Sequence, residues 1–415
     1  MDLSRSALLV IDFQNDFLHS EGLCHRVGLY RLSEQERTDL LKNAQILIAR
    51  TKAAGRPVVW TKTVLRPDHK DSALPWQMSA DKSLGPESGF LTDGSWGSQI
   101  LDEMKPEEDD FVVAKKGNSA FQFTYLDHLL CNLGVNTCMA IGGQLSGALA
   151  DSVRQGGALG YDMVVASDCT YPVNWPYLKT LWNRAELKST EEIMLALSAV
   201  GAAGSATPKT ALVVVDMQND FVHSKGLKHR LGQSALTDAE RELIIRNNQR
   251  LIQVMRQKGN PIVFVITIHR RDSLDSAPPP IGRRNKPIPS GEDYLVEGSW
   301  GAKLIDGLET SEGDLVITKK GRSGFGFTPL HRVLRNLGVS HCVVTGGAVH
   351  GCVEDTVREG AGLGYQLTLV PDALYRPNSP TIEVMKDCVR FKTTAEVLAE
   401  LNNQQGGLFQ QREGG

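Results

Sequence analysis

Short, continuous apolar runs recur along the chain and alternate with longer stretches whose apolar residues return every three or four positions. Ala7 to Ile11, Pro57 to Thr61, Phe111 to Ala114, Cys138 to Ile141 and Met163 to Ala166 are the runs of the first half. Leu40 to Ala54 carries apolar residues at helical spacing and closes on Gly55. Runs of Val, Ile and Leu with no polar face suit strands buried on both sides. Helix-length segments between them leave a parallel sheet as the economical solution. The pattern predicts an α/β fold with helices on both faces of a mostly parallel sheet.

The same order of runs returns in the second half at Ala211 to Val215, Ile262 to Thr267, Asp314 to Thr318, Cys342 to Thr345 and Leu367 to Val370. Asp12 and Asp216, Trp96 and Trp300, Lys115 and Lys319, and Asp168 and Asp372 are each 204 residues apart, with no gap needed. The chain of 415 residues therefore divides into two tandem copies, each long enough for its own core. We expect domains at 1–200 and 207–400. The small-residue segment Ala199 to Pro208 reads as a linker, and 401–415 as a flexible tail.

Formal net charge is −3, with both signs mixed along the chain, which favours neither a nucleic acid nor an anionic membrane as partner. No stretch approaches the ~18 apolar residues of a membrane span. Seven cysteines without framework spacing suggest reduced thiols in a cytoplasmic setting. The expected partner is a small-molecule substrate.

In such sheets, functional side chains gather at the carboxyl ends of the strands. Asp216 closes the first run of the second copy, and Lys319 closes the run Asp314 to Thr318. Cys352 follows Cys342 to Thr345 after a Gly346-Gly347 turn. Val353, Val357 and Ala361 then keep helical spacing, so Cys352 is expected at a helix N-terminus, where the dipole and Lys319 would lower the thiol pKa. Asp216 would take and return the proton, and backbone amides around Gly347, Ala348 and Cys352 would hold an oxyanion. Cys138 and Cys342, matched inside apolar runs, read as core filler. In the first copy Asp12 and Lys115 remain, but Ala148 stands at the cysteine's place, so that half is expected to be degenerate. His350 (Ser146 in the first copy), Arg322 (Asn118), Phe325 and Gln218 are candidate substrate contacts. Gly-Ser-Trp-Gly, present in both copies, reads as a packing turn. The segments Arg66 to Thr92 and Arg270 to Val296 differ most between copies and are expected to shape the pockets.

Asp-x-Gln-x-Asp-Phe, Gly-Ser-Trp-Gly, Lys319-x-x-x-Ser323-x-Phe325, Thr345-Gly346 and Cys352-Val353-x-x-Thr356-x-Arg358, in this order, resemble the isochorismatase-like cysteine hydrolase superfamily. The resemblance covers nearly all of both copies. It implies a three-layer α/β/α sandwich, catalysis by Asp216, Lys319 and Cys352, and a non-proline cis peptide between Gly347 and Ala348. Nicotinamidases of that superfamily place Asp-x-His after the second strand. Here Thr267-Ile268-His269 stands there and the first copy has Leu65, so neither a metal nor another cofactor is expected. The expected activity is hydrolysis of a non-peptide carbon–nitrogen bond through a Cys352 thioester. Two alternatives are an aspartate-driven, isochorismatase-type cleavage of a vinyl ether without covalent catalysis, and a metabolite-binding pseudoenzyme. Fusion of two copies also suggests a pseudo-dimer, and the resemblance favours a homo-oligomer of such chains.

Overall fold

The computed structural model describes residues 1–29, 32–74, 82–172, 175–200, 209–233, 236–276, 291–376 and 380–403. Most of the expected linker, nearly all of the tail and the middle of both pocket-shaping segments lie outside the described residues. The chain forms two compact units, Met1–Ala206 and Thr207–Gly415.

In the first unit the strands are β1 (Ser6–Ile11), β2 (Val58–Thr63), β3 (Phe111–Lys115), β4 (Thr137–Gly143), β5 (Asp162–Tyr171) and β6 (Glu186–Lys188). They form one sheet in the order β3-β2-β1-β4-β5-β6, every pairing parallel. Along β1, Leu8 and Val10 enter one core and Ala7, Leu9 and Ile11 the other, so both faces are buried. Helices α1 (Glu34–Ala53) and α4 (Thr190–Ala199) supply Leu40, Leu47, Ile193 and Leu197 to the first core. Helices α2 (Leu126–Asn132) and α3 (Ala150–Leu159) supply Leu126, Leu130 and Val153 to the second. This is the expected three-layer arrangement.

The second unit repeats it with β7 (Lys209–Val215), β8 (Ile262–Thr267), β9 (Leu315–Lys319), β10 (Val339–Gly346), β11 (Gln366–Leu374) and β12 (Arg390–Phe391). Its sheet order is β12-β11-β10-β7-β8-β9, again parallel throughout. Helices α5 (Asp238–Gln257) and α8 (Thr394–Asn403) cover one face, and α6 (Leu330–Asn336) and α7 (Glu354–Gly362) the other.

Helix α1 starts six residues before the apolar pattern that announced it. A capping box of Ser33 and Glu36 satisfies the first free amides, and Thr237 with Glu240 does the same for α5. The edge strands β6 and β12 escaped the pattern because three and two residues are too few for a periodicity. In both sheets the strand order reverses beside the first strand, between β1 and β4 and between β7 and β10. At such a switch point adjacent loops leave in opposite directions and open a crevice.

Candidate active site

Asp216 follows β7 directly with φ 50°, as Asp12 follows β1 with φ 55°. A left-handed backbone is unfavourable for a residue with a Cβ and is held here by its surroundings. Tyr375 Oη donates to Asp216 O at 3.4 Å, and Tyr171 makes the same contact to Asp12. Gly346 (φ 94°) allows β10 to pass close by, since a Cβ there would lie 2.0 Å from Val215 O. The peptide Gly347–Ala348 is cis, and so is its counterpart Gly143–Gln144.

Asp216 and Lys319 are fully buried and ion-paired, Nζ to Oδ2 at 2.9 Å. Lys319 Nζ also donates to Thr267 Oγ1 (2.6 Å) and Gly321 O (3.2 Å), and it lies 3.3 Å from Cys352 Sγ. Thr267 Oγ1 donates onward to Asp216 Oδ1 at 2.8 Å. The three residues singled out in the second copy thus meet in one cluster. Cys352 is half-buried in the turn Val349–Val353 that runs straight into α7. Thr356 Oγ1 donates to Cys352 O at 2.6 Å and accepts from Gly324 N at 2.7 Å, tying this turn to the segment after Lys319. A Cβ at Gly351 would meet nothing within 4 Å, so there is open space beside the nucleophile.

The electrostatics differ from the expectation of a resting thiolate. Burial, reinforced by the Asp216 carboxylate, pushes the Cys352 thiol up to about 12, and Lys319 only partly offsets this. Helix-dipole and ammonium effects are outweighed because the sulfur is enclosed and shares its lysine with a carboxylate. Burial draws the Lys319 ammonium down, but Asp216 and Cys352 more than reverse this, and it stays charged.

Several expected contacts have other tasks. Gln218 is fully buried; its Nε2 donates to Thr267 O and Ala302 O, and its Oε1 accepts from Thr267 N. Its amide is fully used by Thr267 and Ala302, which corrects its reading as a substrate contact. Phe325 is also corrected: its ring packs in the core, stacked 5.5 Å from Tyr365. The Gly347 amide donates to Val215 O at 3.0 Å, leaving the amides of Ala348 and Cys352 as the oxyanion candidates. Arg322 is half-exposed and 3.7 Å from Asp355 on α7, where Asn118 bonds Asp151 in the first unit. His350 is half-buried, and the backbone at His350 and Gly351 leaves helical geometry. Gly-Ser-Trp-Gly packs as expected, since a Cβ at Gly301 would strike the Asp220 carboxylate. Thr267 and Tyr375 went unnoticed in the sequence, although Thr63 and Tyr171 repeat them at the same offset.

In the first unit Lys115 Nζ pairs with Asp12 Oδ2 (2.6 Å) and donates to Thr63 Oγ1 (2.7 Å) and Gly117 O (2.9 Å). Ala148 is buried and offers no nucleophile. Burial raises the Asp12 carboxyl against the opposing pull of Lys115. Around Asp216 the described residues do not form a metal donor set: the Thr267 hydroxyl is committed, and His269 is the one imidazole between β8 and β9. No helix among the described residues is long and apolar enough to cross a membrane.

Similar proteins cover a little under half of this chain. The ureidoacrylate amidohydrolase RutB of Cronobacter turicensis is 32% identical over 185 residues, covering 42% of this chain and 78% of that protein. RutB of Serratia proteamaculans is 31% identical over 202 residues, 45% of this chain and 77% of that protein. Among solved structures, the N-carbamoylsarcosine amidase from Thermoplasma acidophilum is 28% identical, covering 45% of this chain and 98% of that one, with a TM-score of 0.37. The isochorismatase domain matches twice, at residues 6–194 and 210–398, which is most of the chain. The chain belongs to the isochorismatase family and carries that family's domain in duplicate.

Proposed function

We propose that the second unit hydrolyses a non-peptide carbon–nitrogen bond in a small amide or ureide through a thioester on Cys352. The observation that carries this is the single buried ammonium of Lys319, within reach of both the Asp216 carboxylate and the Cys352 sulfur. The relatives named as ureidoacrylate amidohydrolases support the substrate class. Because the resting thiol is neutral, attack and proton transfer go together. Sγ bonds to the acyl carbon as its proton passes to Asp216, and the carbonyl oxygen gains charge facing the amides of Ala348 and Cys352. The carbon–nitrogen bond then breaks, and Asp216 gives its proton to the leaving nitrogen. Water adds to the thioester, Asp216 takes a proton from it, and the carboxylic or carbamic acid leaves as the thiol is restored. The first unit, with Ala148 at the nucleophile position, is assigned no covalent step.

The test is acid-quenched mass spectrometry during turnover of ureidoacrylate and a panel of simple amides and ureides. An acyl group on the Cys352 peptide is expected. Full turnover by Cys352→Ala would sink the mechanism. The raised thiol also favours a second reading, aspartate-driven cleavage without a covalent intermediate. In that case Asp216→Asn abolishes turnover and Cys352→Ala is tolerated.

A further inference from the structure

At the carboxyl end of β8, past the threonine that bonds the Asp216–Lys319 pair, stands an imidazole with no hydrogen bond at either nitrogen among the described residues. His269 comes two residues after Thr267, whose hydroxyl touches both members of the pair. It is half-buried, and its Nδ1 is sealed from water without a partner. Its backbone is fixed: His269 N donates to Leu295 O at 2.8 Å, Glu297 N donates to His269 O at 3.0 Å, and Lys320 Nζ holds the carbonyl of Ile268 at 2.8 Å. The backbone that carries the ring is therefore pinned.

Burial draws the imidazole below its usual value. Asp275 opposes this, Lys320 and Lys319 act with it, and Asp216 acts against it. A neutral imidazole can both donate and accept, and it is carried two residues beyond Thr267, which bonds both Asp216 and Lys319. In the first unit Leu65 occupies this position and is fully buried in the apolar core. Replacing such a leucine by a histidine with an unmet nitrogen is unfavourable for folding by itself. That exchange stands in the unit that also has the cysteine, whereas Lys115, Asp12 and Thr63 of the first unit leave no comparable unmet group.

We propose that His269 binds substrate, its imidazole hydrogen-bonding the carboxamide or ureido group that Cys352 attacks or the polar group next to it. This rests on the amide and ureide reading of the site.

The test compares His269→Leu, which copies the first unit, with His269→Asn, which keeps a hydrogen-bonding side chain. Cys352 is alkylated at mildly alkaline pH with iodoacetamide, which carries a carboxamide, and with methyl methanethiosulfonate, which does not. The ratio of the two rate constants is expected to fall about tenfold in His269→Leu, the loss of roughly one hydrogen bond. Partial recovery is expected in His269→Asn, with the methanethiosulfonate rate unchanged and the melting temperature of His269→Leu equal to or above wild type. An unchanged ratio overturns the proposal. A lowered melting temperature with both rates falling together also overturns it, because the imidazole then has an internal structural task. If wild-type Cys352 is inert to both reagents, the thioester reading fails instead. His269 is then judged by calorimetric binding of ureidoacrylate to wild type and His269→Leu. Weakened binding upholds it, and equal behaviour, including no binding by either, overturns it.

Discussion

Lys319 has three protons and four acceptors in reach, whereas Lys115 has three of each. Without a sulfur to share, the first unit's lysine sits closer to its aspartate, 2.6 Å against 2.9 Å. Three predictions belong at this scale. Since Asp216 raises the Cys352 thiol and Lys319 lowers it, Asp216→Asn removes the raising charge and leaves the lowering one. Alkylation of Cys352 at neutral pH should therefore become faster than wild type while turnover collapses; equal or slower alkylation would contradict the electrostatic account. In wild type, with the thiol pushed up to about 12, the alkylation rate should keep rising with pH through about pH 9 instead of reaching a plateau near neutrality. Lys319→Met leaves a buried carboxylate unpaired and should cost about 3–5 kcal/mol in urea unfolding of the second unit.

The strand ends set what these residues can do. Gln218 holds Thr267 through both ends of its amide, so Gln218→Ala should cost about 1–3 kcal/mol for each buried backbone group left unpaired. Turnover should fall as well, because the Thr267 hydroxyl that bridges Asp216 and Lys319 loses its support. A variant with unaltered stability and weakened substrate binding would restore Gln218 to the substrate contacts. The Asp-x-Gln-x-Asp motif was legible in the sequence as a unit of chemistry, yet only its first residue touches the reacting cluster. The second steadies β8, and the third accepts the amides of Leu227 and Leu295. Spacing along one strand end cannot separate these tasks, because apart from Leu227 the partners come from segments 49 to 84 residues away. Phe325 was misjudged for a related reason: its partner Tyr365 arrives from beyond α7.

Across the whole chain, the duplicated domain with a cysteine at only one of its two nucleophile positions predicts an unequal pair of sites. Trapping with an acylating substrate should label one cysteine per chain, at Cys352, and peptide mapping should show none in Met1–Ala206. A second labelled site, or labelling that survives Cys352→Ala, would remove the asymmetry. By itself the sequence determined the duplication, the parallel α/β sandwich, and the convergence of Asp216, Lys319 and Cys352. Hydrophobic period is a local property, and a parallel sheet sends every strand's carboxyl end to the same edge. Tertiary structure decided the protonation of Cys352, the structural tasks of Gln218 and Phe325, and the unmet imidazole of His269. Each depends on how far a group is withdrawn from water and which distant atoms replace that water, quantities summed over the whole fold and carried by no single stretch of chain.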